Sequence, residues 1–180
     1  MCSSDLLHES STVTEVVNLM LQTHRSKLNQ IDFERISQKQ GFSVSNMLTI
    51  ASLVQAEGDQ VDFQKISRVI RNRLNANMKL QLDTTVLYAM KTKGRIKVTE
   101  ADLKVDSKYN TYQYLGLPPG PIGNPGTESL LAALNPAEGD WLYFITVKPG
   151  DTRFTASYDE FLTWKELFNK NYSNGLFGKS

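Results

Sequence analysis

Apolar residues along this chain fall at helical spacing first and alternate late. From Thr12 to Gln30 the residues Val13, Val16, Val17, Met20 and Leu21 recur on one stripe, which predicts an amphipathic helix. The stretch QKQGFSVS breaks that pattern. A second helix is expected to run to Glu57, with Ser45 capping its start and Gly58 ending it. On that helix Ile50, Val54 and Glu57 lie at i, i+4 and i+7, which stacks a carboxylate on an apolar face. Phe63, Ile66, Ile70 and Leu74 mark a third helix, with Arg68, Arg71 and Arg73 mostly on its other sides, where a solvated face is the expected setting. DTTVLYAM (83–90) reads as a short helix with Asp83 as its N-cap. Residues 91–126 read as largely irregular and rich in proline, with Tyr109, Tyr112 and Tyr114 among them. DWLYFITVKPGDTRFTAS alternates as two strands around a Pro-Gly-Asp turn, and SYDEFLTWKELFNKNY closes the chain as a helix. Helices first and a hairpin late give an α+β class: a helical core, a late β-hairpin and a closing C-terminal helix.

Composition narrows the function classes. The 180 residues suffice for one domain with a core and leave room for part of a second, and 40% hydrophobic with 22% charged residues describes a folded protein. A net charge of +1 gives no electrostatic case for nucleic acid or an anionic membrane surface. One cysteine rules out an internal disulfide or a multi-cysteine metal site. The two histidines, His8 and His24, precede the main folded region, so neither a metal centre nor a histidine-based triad is expected, and no cofactor is implied. The opening MCSSDL is what a common sequencing-adapter end encodes after a start codon, so residues 1–6 are expected to be an assembly artefact.

Carboxylates remain, and Glu57 has the unusual setting. Apolar surroundings and the negative end of a helix dipole both penalise its charged form, which is how a carboxylic acid stays protonated near neutral pH and serves as a general acid. A Glu that only bonds a neighbouring loop, or pairs with Arg68 or Arg73, is the alternative on physics alone.

Four blocks add a resemblance. LTIASLVQAEGD, ISRVIRNRLNANMKLQLDTTVLYAM, YNTYQYLGLPPGPIGNPG and AALNPAEGDWLYFITV resemble, in order and spacing, the YceG-like family of endolytic murein transglycosylases. They cover roughly residues 45–160. The family usually carries two acids at the end of the helix, the second catalytic; here these positions are Gln55 and Glu57. Thr84 stands where the family commonly has proline, a change expected to affect a turn more than any chemistry, and family histidines near the C-terminus are absent from GDTRFT and YDEFL.

The resemblance implies cleavage, by one carboxyl group and no metal, of the β-1,4 bond between N-acetylmuramic acid and N-acetylglucosamine, leaving 1,6-anhydro ends. A water-using muramidase and a non-catalytic glycan-binding module are the alternatives. Tentative glycan contacts are Gln81, Asp83, Thr85, Asn110, Tyr109 and Tyr112, with core filling the expected role of Tyr114. The implied partners are peptidoglycan strands and the synthases that polymerise them. The expected organisation is residues 1–11 as an artefactual or disordered start, 12–40 as the end of a preceding region, 41–168 as the catalytic domain and 169–180 as a tail. Composition alone points to the cytoplasm, whereas the resemblance points to a catalytic domain outside it, held by one transmembrane helix encoded upstream of Leu7.

Overall fold

The computed structural model describes residues 12–92 and 98–177, so the expected artefact at 1–6, Cys2 and His8 lie outside the described residues. These residues form an α+β fold whose one sheet is a two-stranded antiparallel hairpin. The chain divides into two compact units, Met1–Val44 and Ser45–Ser180.

In the first unit, α1 (Val13–Gln30) starts at Thr12, whose hydroxyl accepts from the Glu15 backbone N–H while the Glu15 carboxylate accepts from Thr12 N–H. Its apolar stripe is real but stays open to solvent: Val13 is 81% and Met20 62% exposed. The helix does not run on. Asp32 adopts a left-handed backbone (φ 52°), and a second short helix, α2 (Phe33–Lys39), follows it.

The second unit is built around α3 (Val44–Glu57), on which Met47, Ile50, Ala51, Leu53 and Val54 are all fully buried. The helix begins two residues earlier than a cap at Ser45 would place it. Ser45 therefore lies inside the first turn rather than capping it, and its carbonyl accepts from the Thr49 hydroxyl at 2.9 Å. Gly58 does follow the last helical residue, but not as a left-handed cap. A Cβ there would sit 2.6 Å from Cδ1 of Ile66, so the missing side chain is what admits α4 (Phe63–Asn75). From α4, Phe63, Ile66, Val69 and Ile70 enter the same core.

The short helix α5 (Asp83–Ala89) is preceded by Leu82 at the capping position, so Asp83 is not the N-cap and its carboxylate is free for other partners. An additional helix, α6 (Thr127–Leu134), buries Leu130, Ala132, Ala133 and Leu134. The hairpin pairs β1 (Tyr143–Lys148) with β2 (Asp151–Thr155), Phe144 opposite Phe154, and turns at Gly150 with φ 77°. The closing helix α7 (Tyr158–Ser173), capped by Ser157, packs on β1, where Phe161 stacks on Tyr143 and the Asn171 amide donates to Val147 O at 2.7 Å.

Candidate active site

Glu57 is the last residue of α3, half-buried below two fully buried residues of its own face, Ile50 and Val54. The Thr84 hydroxyl, from the first turn of α5, donates to its Oε1. Loss of hydration is the largest influence on this carboxyl, and it raises the pKa from the ordinary 4.5 to about 7. Hydrogen bonding from the Thr84 hydroxyl and backbone N–H, and the positive charge of Arg73, pull the other way; the Asp83 carboxylate adds to the rise.

Asp83 is the second acid of the cluster. It too is pushed up, by burial first, but it accepts a hydrogen bond from the Tyr112 hydroxyl at 2.5 Å and feels the charge of Lys165, both of which favour ionisation. Burial and then the Asp83 charge hold the Tyr112 phenol protonated, which keeps it a donor. Burial raises both carboxyls, and Glu57, raised to about 7, keeps its proton to near neutrality.

Arg73 closes the cluster and corrects the expectation of a solvated arginine face. Only 8% exposed, it donates to Leu142 O at 2.6 Å, Leu80 O at 2.7 Å and Lys79 O at 3.2 Å, and its guanidinium lies over the Tyr143 ring at 5.2 Å. Arg71 is also turned inward, donating to Ala133 O. Burial is tolerable because carbonyls with no partner in a sheet or helix receive these charged donors. The signal was present in the sequence: Ile66, Ile70 and Arg73 share the i, i+4, i+7 spacing that singled out Glu57.

The other expected contacts separate into two groups. Asp83 and Tyr112 belong to the Glu57 cluster, and exposed Gln81 adjoins it through a 3.4 Å contact with Arg73. Tyr109 is half-buried against Tyr88, ring centroids 4.8 Å apart, and retains surface for a ligand. Thr85 and Asn110 do not: both are fully buried. The Thr85 hydroxyl bonds Leu82 O and the Thr111 hydroxyl, while Asn110 bonds Leu103 O, Val105 O and the Tyr112 N–H. These two side chains therefore brace the loop that carries Tyr112. Tyr114 is corrected the other way; it is 42% exposed, bonded to Asp106, and fills no core.

Sequence reasoning also missed the roles of three residues. Gln55 is structural: its Oε1 accepts from Gly126 N–H and from the Ser129 hydroxyl, both at 3.1 Å, at the start of α6. One turn earlier on α3, Ser52 accepts from Ile122 N–H, so two side chains of α3 hold the GLPPGPIGNPG loop. Thr84, set aside as a turn residue, touches the candidate acid directly.

A depression of the first unit, lined by residues such as Arg25, Leu28, Asp32 and Phe33, contains none of this chemistry. Among the described residues no group of three or more His, Cys, Asp or Glu is placed to hold a metal, and no helix is long and apolar enough to cross a membrane.

The raised proton affinity makes a stability prediction. Folded Glu57 holds its proton up to about pH 7 whereas the unfolded chain releases it near 4.5, so folding binds a proton between those values. The stability associated with the neutral carboxyl is complete below about pH 4.5 and is lost as pH rises through about 7. For a half-buried group the loss is at most about 3 kcal/mol. Urea unfolding of the wild type and Glu57→Gln across pH 4 to 8 should therefore diverge, the Gln variant gaining relative stability toward pH 8. A constant gap would mean that Glu57 ionises freely in the fold.

Comparisons with known proteins agree on one family. The model of the YceG-like family matches residues 6–166. An endolytic murein transglycosylase of Bacillus subtilis (strain 168) is 38% identical over 159 residues, which cover 88% of this chain and 43% of that protein. The endolytic murein transglycosylase of Streptococcus pneumoniae (strain ATCC BAA-255 / R6) is 35% identical over 144 residues, 77% of this chain and 26% of that one. The crystal structure of a YceG-like protein from Listeria monocytogenes superposes with a TM-score of 0.75 at 35% identity, covering 87% of this chain and 50% of the other. This chain thus spans less than half the length of the two transglycosylases.

Proposed function

This chain belongs to the YceG-like family, and on that premise we propose that it cuts peptidoglycan strands internally as a lytic transglycosylase, with Glu57 as the single acid and base. The observation that carries the reading is a carboxyl with pKa about 7 at the buried end of α3, beside an exposed glutamine and half-buried tyrosines. In the first half-reaction protonated Glu57 gives its proton to the glycosidic oxygen as the bond from muramic C1 breaks. The resulting carboxylate then takes the proton of the muramic C6 hydroxyl, whose oxygen closes on C1. The carboxyl ends as it began, and no water is consumed. Because the nucleophile belongs to the substrate, the second carboxylate of an ordinary glycosidase has no task in this scheme. Asp83, engaged by Tyr112, supplies negative charge that keeps Glu57 protonated.

Tyr109, Tyr112 and Gln81 line the glycan path in this reading, and residues 41–168 make up the catalytic region, with 12–40 the end of the region before it. Its substrate places the enzyme outside the cytoplasmic membrane, beside the synthases that extend the strands and held by an anchor encoded upstream. Digestion of uncrosslinked glycan strands, with mass spectrometry of the products, tests the reaction. Anhydro-muramic ends, produced equally well in excess chelator, are expected. Reducing muramic ends would assign a hydrolase, and bound but uncut strands a binding module.

A further inference from the structure

The fold brings a neutral hydroxyl, that of Thr84, onto the candidate acid. Thr84 lies in the first turn of α5, where backbone N–H groups have no partner within the helix, and its side chain reaches across to the end of α3. We propose that Thr84 is a positioning residue for Glu57: by donating to Oε1 it makes that oxygen the carbonyl of the neutral acid and leaves Oε2 as the atom that carries the transferable proton.

A carboxylic acid has one oxygen that accepts well and one that holds hydrogen, and without a local donor the two interchange freely. The Thr84 hydroxyl removes that freedom at Oε1. The same donor also favours the ionised form, so it opposes the desolvation that otherwise dominates Glu57. The charged and titratable groups facing Glu57 are Asp83 on α5, Arg73 on α4 and Tyr112 on the following loop. Among these, Thr84 is the neutral contact, and it can be altered without changing any charge.

The inference rests on Glu57 being the general acid, and the test separates the two ideas. Thr84→Val keeps the shape and removes the hydroxyl; Thr84→Ser keeps the hydroxyl. Carbon-13 NMR titration of the Glu57 carboxyl, assigned by its absence in Glu57→Gln, needs no activity. In Thr84→Val the midpoint is expected to rise by about one pH unit, and the alkaline limb of kcat/KM on glycan strands to move with it. The low-pH plateau of kcat is expected to fall roughly tenfold as the carboxyl loses its orientation. Thr84→Ser should restore both. Unchanged midpoint and pH profile in Thr84→Val, or a loss of rate that serine does not rescue, would overturn the positioning role. Cleavage by Glu57→Gln at the wild-type rate would instead overturn the acid itself, whatever the Thr84 variants do.

Discussion

Glu57→Gln is expected to remove the proposed strand cleavage while leaving the fold and glycan binding in place. Glutamine matches the shape and accepts from the Thr84 hydroxyl through its amide oxygen, so the contact that orients the end of α3 survives. It cannot give up a proton to a leaving oxygen or take one from a sugar hydroxyl. Both halves of the proposed reaction use this one carboxyl, so its loss is expected to cost at least the 10²- to 10⁴-fold typical of general acid–base catalysis, roughly speaking. Release of anhydro-muropeptides from purified strands measures it, alongside a binding assay on the same strands. A near wild-type rate would remove Glu57 from the mechanism, and loss of binding together with activity would mark it as a structural residue.

Arg73→Met should have the largest effect on stability. Methionine keeps much of the aliphatic length, yet the carbonyls of Leu80, Leu142 and Lys79 lose their charged donor and the Tyr143 ring loses its cation. The Leu80 carbonyl is buried and the other two are partly so; a buried carbonyl left without a partner costs about 1–3 kcal/mol, so a total of about 2–4 kcal/mol is expected, a large part of a domain's stability. Chemical denaturation read by circular dichroism provides the check; a loss below about 1 kcal/mol would show that water replaces the guanidinium. The substitution also takes away a positive charge that opposes the rise in the Glu57 pKa. Where the variant remains folded, the Glu57 titration should move to still higher pH.

Periodicity was enough to locate the helices of the main core, the hairpin with its Pro-Gly-Asp turn, and the one glutamate stacked on an apolar face. These features are local: a 3.6-residue or two-residue repeat is written in neighbouring residues, and burial follows from it. Arg73 shares the same repeat, yet its positive charge led to the expectation of a solvated face, because its carbonyl partners at Leu80 and Leu142 lie on other segments. Helix α6 hid in a run of Leu and Ala that reads equally well as any buried segment.

Only the tertiary structure decided which polar residues face Glu57. Asp83 and Tyr112 are 29 positions apart, and Thr84 and Glu57 are 27 apart, so no window of sequence holds either pair. Thr85 and Asn110 look as available as their neighbours in the chain, yet the backbone turns both inward, where Leu82, Leu103 and Val105 use up their hydrogen bonds. The sequence by itself determined the apolar helix and the glutamate at its end; the fold determined what touches that glutamate, because hydrogen-bond partners across segments depend on how helices and loops pack and not on the order in which they are encoded.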